Sequence, residues 1–127
     1  MTGGSTLIES REDLRRILLR RNLTCVVMFH LSWSMQCLSM RPVFDQFASS
    51  GEYERWLHFY HIDCDNAPDI VTRTGPYGIE EVPTFIIWRD GRELARKQGP
   101  TIQELKELLN RAKPQQTYQY PQQIIPY

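Results

Sequence analysis

The chain reads as one α/β domain: a mixed sheet of four or five strands, covered by helices on both faces. Three observations predict it. Strand-like and helix-like hydrophobic periods alternate along the chain. Residues 23–31 form a nearly continuous apolar, β-prone run, the composition of a strand buried on both faces. Asp90-Gly91 lies between two further strand-like runs and signals a hairpin, so an antiparallel pair must join the parallel crossovers.

Each element has a local reason. A short leading strand is expected over residues 6–9. Ser10, with Asp13 three positions on, makes an approximate capping box and opens a helix. Leu14, Ile17 and Leu18 share one face of that helix, and Arg15, Arg16 and Arg20 the other. The buried strand of residues 23–31 follows. The next helix starts near Ser34 and runs towards Ser49, with a kink expected at Pro42, which lacks a backbone donor. Residues 56–62 read as a strand. Residues 66–74 read as a short helix with Pro68 in its first turn. Pro83 precedes a strand over residues 84–88, Asp90-Gly91 turns the chain, and residues 93–98 return. Thr101 and Glu104 form a second capping box. Ile102, Leu105, Leu108, Leu109 and Ala112 are the expected buried stripe of the closing helix, and Trp56, Phe85 and Trp88 are assigned to the core.

Composition bounds the function. Among 127 residues, 15 Lys and Arg balance 15 Asp and Glu. Zero net charge argues against electrostatically driven nucleic-acid binding and against attraction to an anionic membrane. No window approaches the roughly 18 apolar residues of a membrane span, so no membrane insertion is expected. The start, Met1 to Ser5, has neither the charge nor the apolar run of a secretory signal. Five arginines occur within residues 8–22, but Glu9, Glu12 and Asp13 interrupt them, which favours a solvated helix face over a mitochondrial presequence. Cys25, Cys37 and Cys64 are too few and too scattered for a disulfide scaffold. The odd count points to a reducing intracellular compartment: cytoplasm first, mitochondrion or nucleus as alternatives. His30, His58 and His61 do not make a metal set with the cysteines, since the His58–His61 spacing on a strand puts the two rings on opposite faces. No metal and no cofactor is expected. Residues 114–127 stand apart: three Pro, three Tyr, five Gln and no charge. The domain is therefore assigned to residues 1–113, and residues 114–127 to a Pro/Gln/Tyr-rich tail that cannot bury a core of its own.

Trp33-Ser34-Met35-Gln36-Cys37 falls at a strand-to-helix junction, with Pro42 five residues later. Val82-Pro83-Thr84 precedes the hairpin, and Asp90-Gly91 and Gly99 follow. Together these resemble the thioredoxin family over about residues 6–113. The resemblance implies the thioredoxin fold, with a cis bond before Pro83 facing the loop. It also implies that backbone polar groups of Val82 pair with an extended segment of a bound partner. The departures are chemical. The family's redox site is Cys-x-x-Cys, and here the first position is Ser34 while Cys37 keeps the second sulfur. The first position carries the attacking thiol because helix N-terminal amides stabilise a thiolate. A serine forms neither an alkoxide there nor a disulfide; it is instead a good helix N-cap. The family's buried carboxylate, five residues before the Trp, is replaced by Met28. Met35-Gln36 stand for the usual Gly-Pro, giving a bulkier loop.

Two variant groups are similar at the loop. The thioredoxin-like domains that begin multidomain monothiol glutaredoxins carry Trp-x-Pro-Gln-Cys. A bacterial co-chaperone carries Ser-x-x-Cys. A spliceosomal thioredoxin-like protein ranks lower, because it lacks the Val-Pro-Thr feature.

These readings converge on a non-catalytic interaction module, a small subunit or adaptor in a multi-subunit complex with protein partners. No catalytic residue is expected; Ser34 and Cys37 are a vestigial loop, with Cys37 a half-buried, inert thiol. Trp33, Met35, Gln36, Val82 and Pro83 form the expected binding surface. Tyr118, Tyr120 and Tyr127, with Ile124 and Ile125, are the tail's anchors. Cys25 and Cys64 are core fillers. The alternatives are a monothiol redox or chaperone-like protein using Cys37 for mixed disulfides and, more weakly, a splicing component.

Overall fold

A computed structural model describes residues 4–67 and 77–114 of the chain. The first strand, β1 (Thr6–Ile8), leads into helix α1 (Arg11–Leu18). Then come β2 (Thr24–His30), α2 (Met35–Ala48), β3 (His58–Asp63), β4 (Thr84–Arg89), β5 (Arg92–Gln98) and α3 (Ile102–Arg111). One turn of 3-10 helix, Cys64–Asn66, follows β3. The five strands form one sheet in the order β1-β3-β2-β4-β5. β3 runs parallel to β1 and β2, while β4 is antiparallel to β2 and β5. This is the thioredoxin fold, with its mixed five-stranded sheet. Most of the short helix expected over residues 66–74, and the tail from residue 115 on, lie outside the described residues.

β2 is the centre of the molecule, and its side chains divide the core in two. Val26 and Met28 face a cluster with Phe44 of α2, Phe85 and Ile87 of β4, and Leu105, Leu108 and Leu109 of α3. Cys25, Val27 and Phe29 face the opposite way, towards Leu14 of α1, Ile62, Ile86 and Trp88. A strand flanked by partners on both edges and covered on both faces calls for a nearly continuous apolar run, which residues 23–31 supply.

The caps act as their residue types dictate. The Ser10 hydroxyl accepts from the Asp13 amide at 3.1 Å. Thr101 accepts from the Glu104 amide at 3.1 Å, and Glu104 accepts in return from the Thr101 amide at 3.0 Å. Asp90 and Gly91 both take positive φ, 52° and 80°, the backbone of a tight two-residue hairpin turn.

α2 runs through Pro42 as one helix, with Pro42 exposed. Three details differ from expectation. The strand expected over residues 56–62 begins two residues later. Trp56 and Leu57 are held in a turn by amide donation to the Tyr53 carbonyl, and Trp56 only partly joins the core, edge-on to the Tyr53 ring. Ile102 leaves the buried stripe and is 55% exposed, because it is the first residue of α3, beyond the edge of the packed face. Cys37 is fully rather than half buried.

Candidate functional site

The loop between β2 and α2 is built from its own hydrogen bonds. The Ser34 amide donates to the Leu31 carbonyl at 3.1 Å, closing a turn. Ser34 then caps α2, its hydroxyl accepting from the Cys37 amide at 3.3 Å. That satisfies one of the orphan donors of the first helical turn. The Cys37 sulfur faces inward and accepts from the Leu31 amide at 3.5 Å. Met28, wholly buried, lies in the same core cluster as Cys37. Cys25 and Cys64 are also buried, and loss of water around their thiols pushes both up to about 12. At neutral pH neither is a thiolate.

The rim of the loop is apolar and open. Trp33 is 68% exposed and Met35 76% exposed. Trp33 is pinned by its indole N–H, which donates to Asp65 at 3.0 Å, and Asp65 is itself held by the turn after β3. The Val82–Pro83 peptide bond is cis. The Gly99 amide donates to the Pro83 carbonyl at 2.8 Å, tying the end of β5 to this corner. Gln36, Ser39, Met40, Pro83, Gly99 and Pro100 line a shallow groove of about 190 Å³ between α2 and the cis-proline corner. The structure thus brings Trp33, Met35, Gln36, Val82 and Pro83 to one end of the sheet, with Val82 half-buried. Tyr118, Tyr120 and Tyr127 lie outside the described residues. No helix among the described residues is long and apolar enough to cross a membrane.

One polar cluster was not found by sequence reasoning. His30 and His61, both 6% exposed, meet with His30 Nε2 and His61 Nδ1 2.9 Å apart. The other nitrogen of His61 lies 3.0 Å from Arg41. Arg41 reaches on to Asp45 at 3.2 Å, and Asp45 accepts from both the amide and the hydroxyl of Ser5. Arginine can only donate, so His61 Nε2 accepts, His61 Nδ1 carries the proton, and His30 Nε2 accepts it. Burial and the Arg41 guanidinium hold His61 down at about 4, and burial also lowers His30. Burial works against the Asp45 carboxylate, but its hydrogen bonds from Ser5 and the charge of Arg41 outweigh this and lower it. The contact depends on the parallel pairing of β2 and β3, each of which carries a histidine near its C-terminal end. No group of three His, Cys, Asp or Glu among the described residues could hold a metal ion.

The thioredoxin family profile matches residues 5–111. The chain belongs to the thioredoxin family. A chloroplast thioredoxin-like 3-2 of Arabidopsis thaliana is 28% identical over 90 residues, 66% of this chain and 44% of that protein. Thioredoxin H2-1 of Oryza sativa subsp. japonica is 34% identical over 85 residues, 67% of this chain and 57% of that protein. The matched segment thus spans about half the length of these two relatives. Glutaredoxin 3 of Danio rerio is 28% identical over 86 residues, 68% of this chain and 24% of that protein. Among solved structures, the Malassezia sympodialis thioredoxin superposes with a TM-score of 0.75 at 21% identity, covering 87% of this chain and 92% of that one. Fasciola hepatica thioredoxin gives 0.74 at 23% identity, covering 85% and 99%. At these identities the structures carry the fold.

Within the thioredoxin family the loop Ser34-Met35-Gln36-Cys37 is chemically lopsided. The position at the exposed helix N-terminus holds a hydroxyl engaged in capping. The remaining sulfur, of Cys37, is 2% exposed. Such a loop cannot cycle between a dithiol and an internal disulfide. Its apolar rim is exposed beside the groove.

Proposed function

We propose that this thioredoxin-family chain is a non-catalytic protein-interaction module, an adaptor or small subunit of a larger assembly. The observation that carries the reading is Ser34: an oxygen committed to capping α2 stands where the family's attacking sulfur would stand, while Trp33 and Met35 beside it are exposed. Met28, apolar and buried, stands at the family's carboxylate position and offers no proton carrier. Relatives of this chain are mostly named thioredoxins, so the proposal separates it from them on these side chains. The partner is a protein segment in extended conformation. It pairs with the backbone at Val82 and sets an apolar side chain against Trp33, Met35 and the groove. Residues 114–127, anchored by Tyr118, Tyr120 and Tyr127, are a second docking element outside the domain of residues 1–113.

The test is two-sided. The full chain is assayed for reduction of insulin disulfides, with no turnover above background expected. Partner capture from native extract is then compared for the wild type, Trp33→Ala/Met35→Ala, and Cys37→Ser. Capture lost in the double variant and kept in Cys37→Ser supports docking without sulfur chemistry. Capture abolished by Cys37→Ser would instead assign the monothiol role, and rapid insulin reduction would end the non-catalytic reading.

A further inference from the structure

We propose that His61, Arg41 and Asp45 form a proton-operated latch on the N-terminal lead of the sheet. With His61 neutral, Asp45 holds Ser5; with His61 protonated, Asp45 turns to the imidazolium and Ser5 is released.

The closed state is fully specified by donors and acceptors. Arg41 donates to His61 Nε2 at 3.0 Å and to Asp45 at 3.2 Å, standing between them on one face of α2. The other oxygen of Asp45 takes the Ser5 amide at 2.9 Å together with the Ser5 hydroxyl. The residue before Ser5 is seated equally closely. A Cβ on Gly4 would lie 2.6 Å from the Asp45 Cβ and 2.8 Å from its carboxylate oxygen, so the lead fits here only as glycine. β1 itself is three residues long, at the edge of the sheet, with three residue pairs joining it to β3. The Asp45 contact holds the residue immediately before it.

Protonation removes the arrangement by simple valence. A proton taken from solvent onto His61 Nε2 occupies the lone pair that Arg41 used, so that hydrogen bond breaks and two cations face each other. The groups acting on His61 are His30 from β2, Arg41 and Asp45 from α2, and Asp63 from its own strand. The lead into β1 contributes the amide and hydroxyl of Ser5 next to Asp45. His30 sits on the Nδ1 side, where it accepts the proton that His61 already carries. Asp45 already lies within one guanidinium of the new N–H, and a carboxylate is its natural acceptor. Turning to it strips Ser5 of its acceptor. Because burial and Arg41 disfavour the imidazolium, the latch is shut at neutral pH and opens in acid.

The test follows the His61 ring and the Ser5 amide of the full chain by NMR from about pH 7 down to about pH 3, a range that brackets ordinary His and Asp titrations. Two variants accompany the wild type. In His61→Gln the amide can accept from Arg41 and donate to His30 but cannot titrate. In Arg41→Gln the opposing charge is gone. In the wild type the Ser5 amide shifts with the His61 midpoint. In Arg41→Gln both midpoints move up together towards the ordinary histidine range. In His61→Gln the Ser5 amide follows only the lower titration of Asp45. A Ser5 response unchanged in His61→Gln, or a His61 midpoint that moves in Arg41→Gln without Ser5, would overturn the latch.

Discussion

At position 34 the exchange of a sulfur for an oxygen changes what the helix terminus can do. The amides that would stabilise a thiolate instead receive a neutral acceptor, and the Ser34 hydroxyl takes the Cys37 N–H. Ser34→Ala removes that acceptor, and a chemical-denaturation curve should show a loss of about 1 kcal/mol. Ser34→Cys restores the dithiol, and insulin reduction should rise above background. It should remain well below that of an ordinary thioredoxin, because Met28 offers no proton carrier and Met35-Gln36 make the loop bulkier. No rise at all would mean that the loop geometry, and not only the missing atom, has diverged. His61 makes a prediction of a different kind. Its value in the folded chain, about 4, is depressed below the 6.5 of an unfolded histidine. Between those values the unfolded state binds more protons, so stability rises with pH there. The contribution is complete above about pH 6.5 and is lost as pH falls towards 4, with an upper size on the order of 3 kcal/mol. Denaturant midpoints measured across that window should fall in the wild type and fall less in His61→Gln.

Whether an element could be read from the sequence depended on how far apart its determinants lie. The caps at Ser10, Ser34 and Thr101 act within three residues, so residue type and spacing suffice. The hairpin was equally local: Asp90 and Gly91 both need positive φ, which few other residue pairs adopt readily. That turn supports a sharp test. At Gly91 a side chain would meet φ of 80° and stand 3.0 Å from the Leu18 carbonyl, so strain and crowding act together. Gly91→Ala should cost about 1–3 kcal/mol in thermal or denaturant unfolding, with the β4–β5 amides losing protection first. The His30–His61 contact is the opposite case. The two residues are 31 positions apart, and they meet only because β2 and β3 pair in parallel with Met28 beside His61. Taken singly, each histidine reads as a core or surface residue. The start of β3 failed for a related reason, since the turn that displaces it is closed by Tyr53, outside the expected strand.

For the molecule as a whole, the sheet places the Ser34–Cys37 loop and the exposed apolar side chains beside it at the same end. The C-terminal end of β2 delivers the loop, the cis corner before β4 faces it, and the end of β5 is tied to that corner through Gly99. Two packed layers hold these pieces, so the surface is fixed by the core rather than by the loop alone. Its energetic content lies in the side chains that stay open: Trp33 and Met35 expose most of their surface, and Leu38 follows on the same face of α2. Burying such groups against a partner contributes about 1.5–3 kcal/mol each when burial is complete. Aromatic anchors also dominate interfaces of this kind. Trp33→Ala/Met35→Ala should therefore weaken binding of an isolated partner by at least tenfold in calorimetry. The same double variant should leave the unfolding midpoint almost unchanged, since neither side chain is part of the core. A double variant that binds as tightly as the wild type would move the interface away from this end of the sheet. Loss of binding accompanied by an equal loss of stability would mean that the rim supports the fold rather than a partner. Only a loss of affinity at constant stability fits a surface kept open for docking, and it would do so whatever the state of Cys37.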